Sequence, residues 1–187
     1  KALGAGSAVS RTPVNVMLRD RAGRLWFGTD LGLARLDRGT WRLFTSQDGL
    51  SDNRIKALRE DRHGNLWIGT EGGSLNMLRD GRLTALPLQT GGIDPYVRSI
   101  FEDRDGSVWV GTFTGGLYRL RDGMFSTITP AEGLVGNFVR SMLRASDGSL
   151  WVATYGDGIT RLHGGTSTHF DVRSGLTSNL VFSVVQD

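Results

Sequence analysis

The sequence predicts an all-β fold, a β-propeller built of four-stranded antiparallel blades, and three observations carry that prediction. Trp26, Trp67, Trp109 and Trp151 recur at spacings of 41, 42 and 42 residues. Around each tryptophan one line of text repeats: GRLWFGT, GNLWIGT, GSVWVGT and GSLWVAT. Glycine supplies 27 of the 187 residues, about twice the ~7% average, and it falls at intervals, as turns would. A four-stranded unit of about 42 residues is the mark of a propeller blade. One blade cannot bury both faces of its sheet, so blades must stack.

Each unit reads as four short strands. In the third they are VRSIFED, SVWVGT, GLYRLRD and MFSTIT, runs rich in β-branched and aromatic residues separated by Gly, Asp, Asn or Pro. The DG and HGN pairs before each Trp strand have hairpin-turn chemistry, because glycine takes a positive φ without a Cβ clash. Pro13 and Pro95 stand at strand beginnings, where a missing N–H is tolerated. Units close with DGL, GGI, EGL or SGL. Nothing reads as helical over more than a turn. The resulting division is a leading segment 1–11, blades at 12–51, 52–93, 94–134 and 135–175, and a first strand of a further blade over 176–187. A partial ring exposes apolar blade faces, so further blades or self-association are expected to cover them.

Composition narrows the function classes. No apolar run approaches the roughly 18 residues that a transmembrane helix needs, and the opening residues lack the apolar core of a signal peptide. Cysteine is absent, which removes disulfides, thiolate metal sites and cysteine nucleophiles. A net charge of +3, with 22 basic and 19 acidic residues dispersed along the chain, argues against a nucleic-acid partner, which needs a concentrated basic stripe. Nothing points to a cofactor or a metal. The D-x-x-G turns lack the further oxygen ligands and the glutamate of a calcium loop.

The repeated residues are read as architecture. Four tryptophans at equivalent places suit inter-blade packing better than a sugar-binding ring, and the threonines after them suit the satisfaction of buried backbone groups. The pattern of apolar strand, D-x-x-G, x-L-W-x-G-T, G-G-L-x-R-L, D-G and D-G-L-x-x-N resembles the two-component regulator propeller repeat over residues 12–187. DRHGNLWIGT (61–70) and DRDGSVWVGT (103–112) match best. Unit four departs with Ala145 for the leading Asp and Ala153 for the Gly, and SLNML in unit two lacks the Arg. The resemblance implies usually seven-bladed, non-catalytic, extracytoplasmic sensor domains of membrane-bound histidine kinases, hybrid two-component proteins and diguanylate cyclases. It also implies a periplasmic location, with any kinase or cyclase activity in a separate output domain. Streptogramin lyases share a similar blade pattern and supply the enzymatic alternative; a protein-interaction scaffold is the other.

Positions that vary within the repeat are the candidates for function. Five residues before the Asp that ends each first strand stand Asn15, Lys56, Arg98, Arg140 and Phe182; two further upstream are Pro13, Arg54, Tyr96, Phe138 and Leu180. In related propellers the first strand is innermost, which puts these places at one mouth. The loops after the Trp strands carry Asp30, Glu71, Phe113 and Tyr155 to the same mouth. Lys56, Tyr96, Arg98, Phe113, Phe138, Arg140 and Tyr155 are therefore the expected ligand-binding residues. Arginine forks onto carboxylate or sulfate and aromatic faces stack, which suits an anionic or carbohydrate-like ligand. The competing reading has each cation paired with an acidic loop residue and each aromatic filling a blade interface. Catalysis lacks a general base, because His63, His163 and His169 are placed away from that mouth or at the periphery.

Overall fold

A type I′ hairpin turn, with both central residues at positive φ, matches the twist of the strands it joins, and this chain makes that turn four times. Arg38 and Gly39, Asp80 and Gly81, Asp122 and Gly123, and Gly164 and Gly165 all have positive φ. The computed structural model describes residues 9–72, 74–88 and 96–186. They form four sheets, each a four-stranded antiparallel meander in chain order. The first sheet holds β1 (Val14–Arg19), β2 (Leu25–Thr29), β3 (Gly32–Asp37) and β4 (Thr40–Phe44). The second holds β5 (Ile55–Glu60), β6 (Leu66–Thr70), β7 (Ser74–Arg79) and β8 (Arg82–Pro87). The third holds β9 (Val97–Glu102), β10 (Val108–Thr112), β11 (Leu117–Arg121) and β12 (Met124–Ile128). The fourth holds β13 (Val139–Arg144), β14 (Leu150–Thr154), β15 (Ile159–His163) and β16 (Thr166–Phe170). The sheets have the form of propeller blades and are called blades 1 to 4. The chain divides into two compact units, residues 1–97 and 98–187.

In each unit the core lies between two blades. Trp26, Leu33 and Phe44 of blade 1 pack with Ile55, Leu66 and Ile68 of blade 2. Trp109 and Leu117 of blade 3 pack with Val139, Leu150 and Val152 of blade 4. Trp26 and Trp109 are thus inter-blade core; Trp67 is also buried, and Trp151 is half-buried and stacks on Phe170. Glycine before the threonine permits the approach. A Cβ on Gly28 would come within 2.7 Å of Ile55 Cγ2, and one on Gly69 or Gly111 within 2.4 Å of Cγ1 of Val97 or Val139.

The leading Asp of each unit has a structural task. Asp20, Asp61 and Asp103 are buried, and each accepts from the indole Nε1 of its own tryptophan at 2.7, 2.9 and 2.8 Å. The same carboxylates close the hairpin: Asp103 accepts from Asp105 N and Ser107 N, both at 2.9 Å. Blade 4 has Ala145 there, and Ser149 takes over. Its hydroxyl accepts from Trp151 Nε1 at 2.9 Å and donates to Asp147 at 2.6 Å. The threonines do satisfy backbone: Thr29, Thr70, Thr112 and Thr154 donate to the carbonyls of Gly32, Ser74, Gly116 and Gly158 at 2.8–3.1 Å.

Burial pushes the carboxyls of Asp61 and Asp103 up. Hydrogen bonds outweigh it, from Asn65 and Trp67 onto Asp61 and from Trp109 and the turn N–H groups onto Asp103, and hold both below the ordinary aspartate value. A depressed folded-state pKa adds stability that is present above the unfolded value of about 3.9 and is lost as pH falls through the folded value. The free energy of unfolding is accordingly expected to be flat from neutral pH down to about pH 5 and to fall below about pH 4. Asp61→Asn and Asp103→Asn should each flatten that fall in a pH series of urea unfolding curves; an unchanged slope would contradict the assignment.

Among the described residues three unit-closing segments are one-turn 3-10 helices. Ser46–Asp48 and Pro130–Glu132 each carry a capping box, from Thr45 with Asp48 and Thr129 with Glu132, and each ends on a glycine at positive φ. Asn53 and Asn179 pin such turns by accepting from Ser46 N and Val172 N at 2.7 and 2.9 Å. The aligned pair in unit three is Asn137 and Pro130, and proline has no N–H to give, so Asn137 Oδ1 is left buried without a partner.

One expectation differs from what is seen. Residues 176–187, expected as the first strand of a further blade, form a single bridge between Leu180 and Tyr155 and no strand among the described residues. Val181 stands where Ile55, Val97 and Val139 stand, but it faces a blade with Ala153 in place of glycine, and it is only half-buried. Pro95 and the GGI closure lie outside the described residues.

Candidate ligand-binding rim

The first strand of a blade projects its rim residue through a β-bulge. Pairing of β1 with β2 skips between Val14 and Val16, of β5 with β6 between Ile55 and Ala57, and of β13 with β14 between Val139 and Ser141. Asn15, Lys56 and Arg140 are the extra residues. A bulge leaves the extra residue out of the ladder and re-aims its side chain, here toward the loop that follows the Trp strand.

In the first unit that arrangement neutralises itself. Asp30 accepts from Asn15 Nδ2 at 2.7 Å and from Lys56 Nζ at 2.9 Å. Lys56 also pairs with Glu71 at 3.1 Å, and Arg54 pairs with Glu71 at 3.1 Å and Asp52 at 3.2 Å. Burial would lower the Lys56 pKa, but its hydrogen bonds to Asp30 and Glu71 raise it overall. Tyr96 is half-buried at the start of the next repeat.

In the second unit aromatics replace the acids. The Arg98 guanidinium lies 5.5 Å from the centre of the Phe113 ring, and Phe113 packs on Phe138 at 5.0 Å. Arg140 lies 5.8 Å from the Tyr155 ring and 5.0 Å from the Phe182 ring, and those two rings meet edge to face at 6.1 Å. Arg140 makes no ion pair among the described residues. Phe138, Tyr155 and Phe182 are exposed. Arg140, set against two aromatic faces, has in-plane N–H groups suited to a forked acceptor. The structure therefore brings Arg98 to Phe113 and Phe138, and Arg140 to Tyr155. It adds Phe182, which sequence reasoning left out of the site although Phe182 occupies the same aligned place as Lys56, Arg98 and Arg140.

His63, His163 and His169 are all exposed. His169 Nδ1 lies 3.4 Å from the Thr160 hydroxyl. Among the described residues no three His, Cys, Asp or Glu side chains are grouped to hold a metal ion, and no helix is long and apolar enough to cross a membrane.

Four-stranded blades with a Trp–Asp clasp, glycine-mediated stacking and a rim that varies define a propeller-repeat protein. The pattern described as two component regulator propeller matches residues 9–30, 49–72, 91–114 and 133–156, and the chain belongs to that family. Among solved structures it is similar to the extracellular domain of a hybrid two component system from B. thetaiotaomicron, at 24% identity and a TM-score of 0.83, covering 96% of this chain and 25% of that one. A second similar structure is the extracellular domain of a one component system from the same organism, at 25% identity and a TM-score of 0.73, covering 84% and 25%. Virginiamycin B lyase from Staphylococcus aureus shares the fold at 20% identity and a TM-score of 0.68, covering 84% and 55%. The chain thus spans a quarter of the length of the first two structures. No curated protein matches the sequence.

Proposed function

We propose that this chain is a non-catalytic sensor segment on the extracytoplasmic, periplasmic side of a membrane signalling protein, a two-component histidine kinase or diguanylate cyclase, and that its rim takes an acidic saccharide. The observation that carries the reading is the exchange of acids for aromatics along one repeat column. Asp30 and Glu71 consume the cation beside them, whereas Phe113 and Tyr155 stack on Arg98 and Arg140. A pyranose ring suits the exposed aromatic faces of Phe138 and Tyr155, and its carboxylate or sulfate suits the arginine forks. Lys56 and Tyr96 are the corresponding candidates of the first unit, with Lys56 contributing least because two carboxylates share it. Family membership and the extracellular description of two similar structures support the sensor role. Signalling then requires that the ligand bind one state of the protein better than another. The lyase reading has less support, since all three histidines are exposed.

A thermal-shift titration with a heparin-derived disaccharide, against neutral cellobiose, tests the reading. The acidic sugar should stabilise the wild type, and Arg98→Ala and Arg140→Ala should each weaken binding about tenfold. Lys56→Ala should change it little. No response to the acidic sugar, or an equal response in the arginine variants, rejects the site.

A further inference from the structure

A second repeat column changes its chemistry at one blade junction. The last residues of the first strands, read on through the final segment, are Glu60, Glu102, Arg144 and Gln186. Glu60 Oε2 accepts from the backbone N–H of Arg21, in the turn of the preceding blade, at 2.9 Å. Gln186 Oε1 accepts from the backbone N–H of Ser146, again one blade back, at 2.9 Å. These two side chains clasp neighbouring repeats by offering an acceptor to a turn N–H. Between blades 3 and 4 the aligned pair is Arg144 and Arg104. A guanidinium has no acceptor to offer, so this junction presents donors from both sides. Arg144 is half-buried, its Nε is buried without a hydrogen bond, and it makes no ion pair among the described residues.

Arg144 lines a groove of about 340 Å³ together with Asp103 and Asp105, the two neighbours of Arg104. That volume is at the small-ligand end of the range for binding pockets. Of its three carboxylates, Asp105 and Glu132 are exposed to solvent, which screens their charge, and Asp103 and Glu132 are held by hydrogen bonds. Asp103 accepts from Trp109, Ser107 N and Asp105 N, and Glu132 accepts from Thr129 N at 2.8 Å and from the Thr129 hydroxyl at 2.5 Å. Arg119, also in the lining, stacks 5.1 Å from the Trp109 ring. Ile128 and Leu162 supply an apolar wall.

We propose that this groove binds a small organic carboxylate, whose oxygens supply the acceptor that Glu60 supplies at the first junction by accepting from the Arg144 guanidinium, while its apolar body rests on Ile128 and Leu162. The site is separate from the rim and does not depend on it. An external carboxylate there completes the clasp between blades 3 and 4, which makes the packing of that junction responsive to ligand.

The test uses the 187-residue chain with sodium butyrate as probe, sodium chloride at equal ionic strength as salt control and butyramide as the uncharged isostere. The melting temperature of the wild type should rise with butyrate, by about 3–6 °C at ten times Kd, and with neither control. Arg144→Gln restores the acceptor of the repeat, so it should melt higher than wild type without ligand and lose the butyrate response; Arg144→Ala should lose the response without that gain. A wild type indifferent to butyrate, a response to butyramide, a response that survives Arg144→Ala, or an Arg144→Gln no more stable than wild type would each overturn the proposal.

Discussion

Asp103→Ala is expected to lower the stability of the protein by about 3–4 kcal/mol, the largest effect of any single substitution considered. The carboxylate is buried and is the acceptor for Trp109 Nε1, Asp105 N and Ser107 N. Truncation strands three donors, and stranded buried donors cost more than the hydrogen bonds themselves contribute. Blade 4 provides an internal comparison, because there Ser149 holds the tryptophan and Asp147 holds Ser149. Ser149 bonds a half-buried indole through a neutral hydroxyl, so Ser149→Ala should cost only about 1–2 kcal/mol. Urea midpoints at constant m separate the two. Equal losses would mean that the charge on Asp103 adds nothing.

Gly111→Ala should cost about 2–3 kcal/mol by overpacking. The added Cβ would lie 2.4 Å from Val139 Cγ1 and 2.5 Å from Ser99 Oγ, and Val139 is fully buried in the seam between blades 3 and 4. The backbone of Gly111 does not need a positive φ, so the penalty is contact with the next blade and not local strain. Val139→Ala removes the colliding methyl groups. The double variant should therefore be at least about 1 kcal/mol more stable than the sum of the singles predicts. Simple additivity would show that the glycine serves something other than close approach.

The repeating parts of this fold were readable because each is set by chemistry local to a few residues. Turn glycines, β-branched runs and a tryptophan every blade leave marks within one unit, and the inter-blade role of Trp26 and Trp109 follows from repetition itself. The bulge at Lys56 and Arg140 was not readable, since a bulge is a property of pairing between two strands and both strands look regular alone. The aligned columns single out Arg98, Arg140, Phe113 and Tyr155 as candidates, yet whether a cation meets an acid or an aromatic depends on the adjoining loop, as Lys56 with Asp30 and Arg140 with Tyr155 illustrate. The segment over 176–187 carries a strand-like sequence but has no ladder beyond Leu180. Strand propensity does not supply a partner. Arg144 had a legible signal, a basic residue in a column of Glu and Gln, whose meaning appeared only once Glu60 was seen to clasp Arg21.

Repeated residues build this chain and rim residues are proposed to bind. Equilibrium urea unfolding of Arg140→Ala beside Asp103→Ala, each with and without the heparin-derived disaccharide, tests that division most directly. Arg140→Ala should stay within about 1 kcal/mol of wild type, the scale of the lost cation–π contacts, and need about ten times as much sugar for the same stabilisation. Asp103→Ala should lose its midpoint and still be stabilised by the sugar. An Arg140→Ala that unfolds as early as Asp103→Ala, or that is stabilised by the disaccharide as the wild type is, would contradict it.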